Sequence, residues 1–219
     1  MNVNVDAVVL AAEALSETDR RLTLYTRELG RLYARAIGAR RPGARLAAAT
    51  EPGARARFRL WLPPGAASGR VTGGVLDAGV PGRGDWARVT TALFVCEVVD
   101  RLTPLLQPDA DKHQLLCRAL MAIGRGVPAA AAAFLVQAAR LAGYARLPGG
   151  AAAELCRRLD AWDFESAAPG EGGPAELARV EEQVVQWLAP YFGRPLKTWG
   201  HRRALERFQA KTKGLRRVP

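Results

Sequence analysis

The chain has 219 residues, 49% hydrophobic and 24% charged, enough to bury a substantial core as one large domain or two small ones. It carries 32 Lys plus Arg against 21 Asp plus Glu, a net charge of +11, which points to nucleic acid or another anionic surface as partner. Three widely spaced cysteines without a C-x-x-C pair argue against a disulfide framework or closed zinc site, and no run of 18 uncharged apolar residues offers a membrane span.

Val3 to about Gly79 reads as five short strands broken by turn residues: Val3 to Leu10, Arg21 to Thr26, Arg31 to Ile37, Ala54 to Leu62 and Arg70 to Leu76. Glu28-Leu29-Gly30 forms a hairpin in which the glycine takes positive φ, while Arg40 to Arg45 and Pro63-Pro64-Gly65 are loops. Five strands in about 80 residues predict a small closed barrel of the oligonucleotide-binding (OB) type, with an SH3-like barrel as competitor.

The fourth strand is the most informative. Strict alternation over residues 54–62 puts Arg55, Arg57, Arg59 and Trp61 on one face and Ala56, Phe58, Leu60 and Leu62 on the other. Guanidinium groups track phosphates and an indole stacks on a base, although the same pattern also describes a solvated outer face. Twelve basic side chains stand against seven acidic ones in residues 1–80, eleven against eleven in 81–180 and nine against three in 181–219, so the surplus sits at the two ends. Between residues 31 and 59 eight arginines meet one acid, Glu51. The predicted nucleic-acid face is Arg35, Arg40, Arg41, Arg45, Arg55, Arg57, Arg59 and Trp61. A second candidate surface is the tail cluster Lys197, Arg202, Arg203, Arg207, Lys211, Lys213, Arg216 and Arg217.

From Asp85 the period is helical. Asp85 caps a helix to about Leu102 with Ala92, Leu93, Cys96, Val99 and Leu102 as its apolar stripe. Asp109 or Asp111 caps a second through Ile123, Pro128 opens a third that Gly143 closes, and Ala151 to Trp162 forms a fourth. A Gly- and Pro-rich connection leads to a fifth from Pro174 to about Tyr191, striped by Val180, Val184, Trp187 and Leu188, and to a basic helical segment, Lys197 to Thr212. The expected architecture is α+β: an OB barrel over residues 1–80, then an all-α domain over 81–219. His113 and Cys117, four apart, share a helix face and are read as a surface histidine beside a core cysteine. With no phosphate-loop, H-E-x-x-H or G-x-S-x-G motif, the chain is expected to be neither an enzyme nor a holder of metal or cofactor.

The order of motifs resembles the RecO family of bacterial recombination mediators. It starts with Ser16-Glu17-Thr18-Asp19, continues through Leu24 to Arg31 and Ala36-Ile37-Gly38-Ala39-Arg40-Arg41, and reaches Glu97, Phe134, Gly143-Tyr144 and Pro195-Leu196-Lys197-Thr198. The resemblance implies binding of single- and double-stranded DNA, annealing of complementary strands, and cooperation with RecR in loading RecA onto strands coated by single-strand binding protein. With no membrane span and no positive region followed by a long apolar run at the N-terminus, a cytoplasmic, nucleoid-associated protein is expected. Two features depart from it. Many members place a four-cysteine zinc knuckle after the Gly-Tyr helix, whereas only Cys156 follows here, so no zinc is expected. Arginines that help some members hold the tail of single-strand binding protein are Ala132 and Ala133, which moves that contact to Arg118, Arg125 or Arg140. An RNA-binding or adaptor module built on a basic OB fold is the alternative reading.

Overall fold

Period-two burial in the first third of the chain and nearly continuous burial in the helices that follow produce two adjoining cores. The computed structural model describes residues 1–143, 152–166, 168 and 173–205. Tyr144 and the tail cations from Arg207 onward lie outside the described residues.

The strands are β1 (Asn2–Ala14), β2 (Arg20–Thr26), β3 (Gly30–Ala36), β4 (Arg55–Trp61) and β5 (Ser68–Ala78). They close in the order β1-β2-β3-β5-β4, antiparallel except for the β3/β5 seam, which is the OB fold. β1 is longer than its sequence pattern predicts because a bulge between Val9 and Ala11 lets it turn from β4 to β2. The barrel is filled by Val5, Ala7, Val9, Leu22, Leu24, Leu32, Phe58, Leu60 and Leu62 among others. The inward set of β4 is the one its alternation predicts, with Ala56, Phe58, Leu60 and Leu62 all buried.

The helices are α1 (Trp86–Leu102), α2 (Ala110–Arg125), α3 (Ala130–Leu141), α4 (Ala153–Ala161) and α5 (Pro174–Leu188), and residues 197–205 are helical. Asp85 caps α1 through the amides of Ala87 and Arg88, and Asp109, not Asp111, caps α2 through Lys112. Gly126, at φ 80°, closes α2; Gly124 lies inside the helix. The single stripe expected on α1 is a correction: Phe94, Val95 and Val98 are buried as well, because β1, α2 and α3 all pack on this helix. The Ala-rich α3 is the centre of the helical core, ten consecutive residues from Ala130 to Ala139 being buried. Small side chains let four neighbouring helices approach it closely.

Barrel and helices share their second core, since Val8, Leu10 and Tyr25 on the outside of the barrel pack into the helical cluster. Polar ties reinforce the junction. Arg31 meets Asp100 at 2.6 Å, the Leu106 amide donates to the Arg31 carbonyl, and the Tyr25 hydroxyl donates to the Asp109 carbonyl. Gly30 is required twice over: its φ is +72°, and a Cβ there would stand 2.3 Å from the Gln107 carbonyl oxygen.

Candidate nucleic-acid interface

The outer face of β4 is a short ladder fixed by strand register. Trp61 lies between Asn2 on β1 and Arg70 on β5, Arg59 between Asn4 and Gly73, and Arg57 between Asp6 and Val75. The side chains of Arg57 and Arg59 are exposed and make no hydrogen bond or ion pair among the described residues, while the Arg59 carbonyl accepts from the Thr72 hydroxyl. Trp61 is 44% exposed on the outside of the wall and does not plug the barrel end. A shallow groove of about 440 Å³ runs over this face, lined by Asn4, Arg57, Arg59, Gly73 and Val75. Gly73 gives it a bare floor, since a Cβ there would meet nothing within 4 Å. Gly74 points inward, where a Cβ would collide with the Phe58 ring at 2.7 Å. The outer face of β4 therefore offers unspent positive charge and one asparagine amide along the groove, with the exposed indole of Trp61 and Asn2 at its end.

Register also explains why the third arginine of the alternation, Arg55, differs. Arg55 is half-buried and holds Asp77 at 2.6 Å across the β4/β5 ladder. It lies in a cleft between the barrel and α2, with Asp6, Arg27, His113 and Cys117. The expected surface histidine beside a core cysteine is reversed there: His113 is 6% exposed, while Cys117 is only half-buried. The barrel wall covers the α2 face that carries the histidine, and the ring lies 5.9 Å from that of Tyr25. Its Nδ1 stands 3.9 Å from Cys117 Sγ and its Nε2 has no partner. Desolvation, opposed by Asp6 and aided by Arg27 and Arg55, pushes the imidazole down to about 4.

Arg35 is exposed but committed. Its Nε and Nη2 donate to Asp19 Oδ2 at 3.0 and 2.6 Å. The Asp19 carboxyl also accepts from the Gly38 amide and the Thr18 hydroxyl, and the Gly38 amide first, then Arg35, hold it down to about 2. This hub joins the β1/β2 turn to the loop after β3, and Arg40 extends it by donating to the Ser16 carbonyl. Arg41 lies along Gly38, and Arg45 is exposed on the same loop. Glu51, the lone acid of the arginine-rich stretch, is taken by Arg20 at 2.8 Å.

At the other end, Arg202 forms an ion pair with buried Glu181 at 2.9 Å and lies over the Phe94 ring; Arg203 pairs with Glu182 at 3.0 Å over Trp199. These two cations fasten the last helical segment to α5 and α1. The Lys197 and Thr198 amides and the Thr198 hydroxyl donate to the Glu97 carboxylate, leaving the Lys197 ammonium outside. Although burial raises it, the hydrogen bonds from Thr198, Lys197 and Arg101 hold the Glu97 carboxyl below the usual range. The Glu97 and Leu-Lys-Thr motifs, 100 residues apart, are thus the two halves of one helix cap.

Ala132 and Ala133 are fully buried, and the three arginines considered in their place are engaged: Arg125 with the Phe164 carbonyl, Arg140 with Asp160, Arg118 with Glu165. Cys96 and Cys156 are buried, and no group of three metal-ligating side chains occurs among the described residues. No helix among the described residues is long and apolar enough to cross a membrane. Arg70, near the start of β5, is an exposed cation that strand alternation alone does not single out; it stands beside Trp61 only through the β4/β5 register.

Comparison with known proteins agrees with this architecture. Residues 1–76 match the family model described as Recombination protein O N terminal, and residues 83–146 match Recombination protein O C terminal. A DNA repair protein RecO of Bifidobacterium animalis subsp. lactis is 34% identical over 200 residues, covering 84% of this chain and 79% of that protein. One of Moorella thermoacetica is 32% identical over 197 residues, covering 89% and 72%. With one of Pelotomaculum thermopropionicum the identity is 36% over 145 residues, 64% of this chain and about half, 54%, of that relative's length. An OB barrel closed onto an Ala-centred helical core, matched over both parts by these models and relatives, places the chain in the RecO family.

Proposed function

We propose that this protein is a DNA-binding recombination mediator in DNA repair, which binds single- and double-stranded DNA, anneals complementary strands and helps RecR load RecA onto strands coated by single-strand binding protein. The observation that carries the DNA-binding part is the outer face of β4, where Arg57 and Arg59 are unspent beside exposed Trp61. Phosphates of a single strand neutralise the two guanidinium groups, releasing counterions, while a base stacks on the indole. Arg70 and the loop cations Arg41 and Arg45 extend the positive field. Arg35, Arg40 and Arg55 contribute through the fold they brace. Annealing follows from the same charge, because two polyanions brought to one cationic body lose part of their mutual repulsion. The repair role and the partners RecR and single-strand binding protein rest on family membership.

The test is fluorescence anisotropy of a labelled oligothymidylate against salt, comparing wild type with Arg57→Ala/Arg59→Ala. Removing two phosphate contacts should flatten the slope of log affinity against log salt by about 1.4 and weaken binding at low salt at least tenfold. Trp61→Ala should cost on the order of 1–3 kcal/mol with the salt slope unchanged. Binding by the double variant that matches wild type at every salt concentration would remove β4 as the site. A strong preference for structured RNA over matched DNA would remove the recombination role.

A further inference from the structure

A second cleft, of about 670 Å³, lies between the helices and a stretch of barrel wall formed by Leu10 to Glu13 of β1, Arg21 and Thr23 of β2, Tyr33 of β3 and Ser68 of β5. Its sheet wall carries Thr23 and the half-buried ring of Tyr33, which face each other in the β2/β3 register. Its helical wall is made by α1 and by Arg194, Lys197 and Thr198. Three carboxylates line it, and each is already satisfied: Glu13 by Arg21, Glu97 by Arg101 and Thr198, Asp100 by Arg31. Arg194 and the ammonium of Lys197 are exposed and meet no carboxylate among the described residues. What remains for a ligand is two cations, a hydroxyl and an aromatic ring, the same chemistry as the outer face of β4 with Arg57, Arg59 and Trp61.

The two places share no lining residue, and no residue of β4 lines the cleft: on β1 the groove takes Asn4, which pairs with β4, whereas the cleft takes Leu10 to Glu13, of which Ala11 to Glu13 pair with β2 beyond the bulge. We propose that this cleft is a second single-strand site, so that one molecule holds two DNA strands at once, with Arg194 and Lys197 on phosphates and Tyr33 stacked on a base. The inference rests on the reading of β4 as the first site. A duplex has no free base to offer Tyr33, so the cleft selects unpaired strand. Holding both strands on one body replaces a bimolecular search by an encounter at high effective concentration, which is what annealing needs.

The experiment uses two non-complementary oligothymidylates, one with a donor dye and one with an acceptor, whose energy transfer reports both strands on one particle. A complementary pair gives the annealing rate. Wild type should show transfer at limiting protein. Arg194→Glu/Lys197→Glu and, separately, Tyr33→Ala should abolish it and slow annealing at least tenfold, while affinity for one strand stays within about twofold of wild type. Tyr33→Phe should restore both. Transfer and annealing unchanged in both cleft variants would overturn the proposal, as would transfer restored by mixing a cleft variant with Arg57→Ala/Arg59→Ala, which would mean that two chains, not one, bridge the strands. Failure of the β4 reading would appear independently, as undiminished single-strand affinity in Arg57→Ala/Arg59→Ala.

Discussion

His113 shows how a side chain singled out for chemistry can serve the junction instead. The unfolded chain takes up its proton near 6.5, whereas the folded imidazole resists protonation until about 4, so the unfolded state binds more protons between those values. Stability contributed by the neutral ring is complete above pH 6.5 and drains away as pH falls toward 4, by on the order of 3 kcal/mol in total. Urea titrations between pH 7 and pH 4 should show that loss, and His113→Asn should flatten it. An unaltered pH dependence in the variant would place the acid sensitivity elsewhere. The arginines divide by the same logic of neighbours. The alternation of residues 54–62 correctly reads which side chains leave the barrel, yet it does not tell that Arg55 meets Asp77 while the side chains of Arg57 and Arg59 meet no carboxylate among the described residues. Pairing across a ladder depends on the register of a strand more than ten residues away. Arg35 with Asp19 in the turn before β2, and Arg202 with Glu181 across two helices, are likewise pairs that only the tertiary packing brings together.

Among the elements, those written in local chemistry are legible beforehand. Asp85 followed by a helical period marks the start of α1, and Pro63-Pro64-Gly65 marks the end of β4. The bulge that lengthens β1 and the burial of α1 on more than one face are not, because both come from what the element packs against. The clearest long-range element is the cap that Glu97 places on residues 197–205. Glu97→Ala leaves the Thr198 amide and hydroxyl without their acceptor, and should cost about 1–2 kcal/mol. Limited proteolysis should then cut within or after this segment much earlier than in wild type, while the barrel persists. Equal cutting in the two proteins would mean that Arg202 and Arg203 hold the segment unaided.

At the scale of the whole molecule, a barrel closed by five strands has no free sheet edge, so its outer wall is available for binding and for docking on helices at once. Val8, Leu10 and Tyr25 give part of that wall to the helical core, and β4 gives another part to solvent. The charge surplus at the two ends of the sequence reads as two basic surfaces, but the fold uses them unequally. The described C-terminal cations Arg202 and Arg203 fasten helices, while on β4 Arg55 holds Asp77 and the side chains of Arg57 and Arg59 stay unspent. Nucleic acid on the outer face of β4 is tested by photo-crosslinking of a 5-iodouracil oligonucleotide, followed by mass spectrometry of the attached peptide. Attachment at Trp61 is expected; crosslinks confined to peptides that contain neither Trp61 nor its neighbours on β4 and β5 would place the DNA elsewhere.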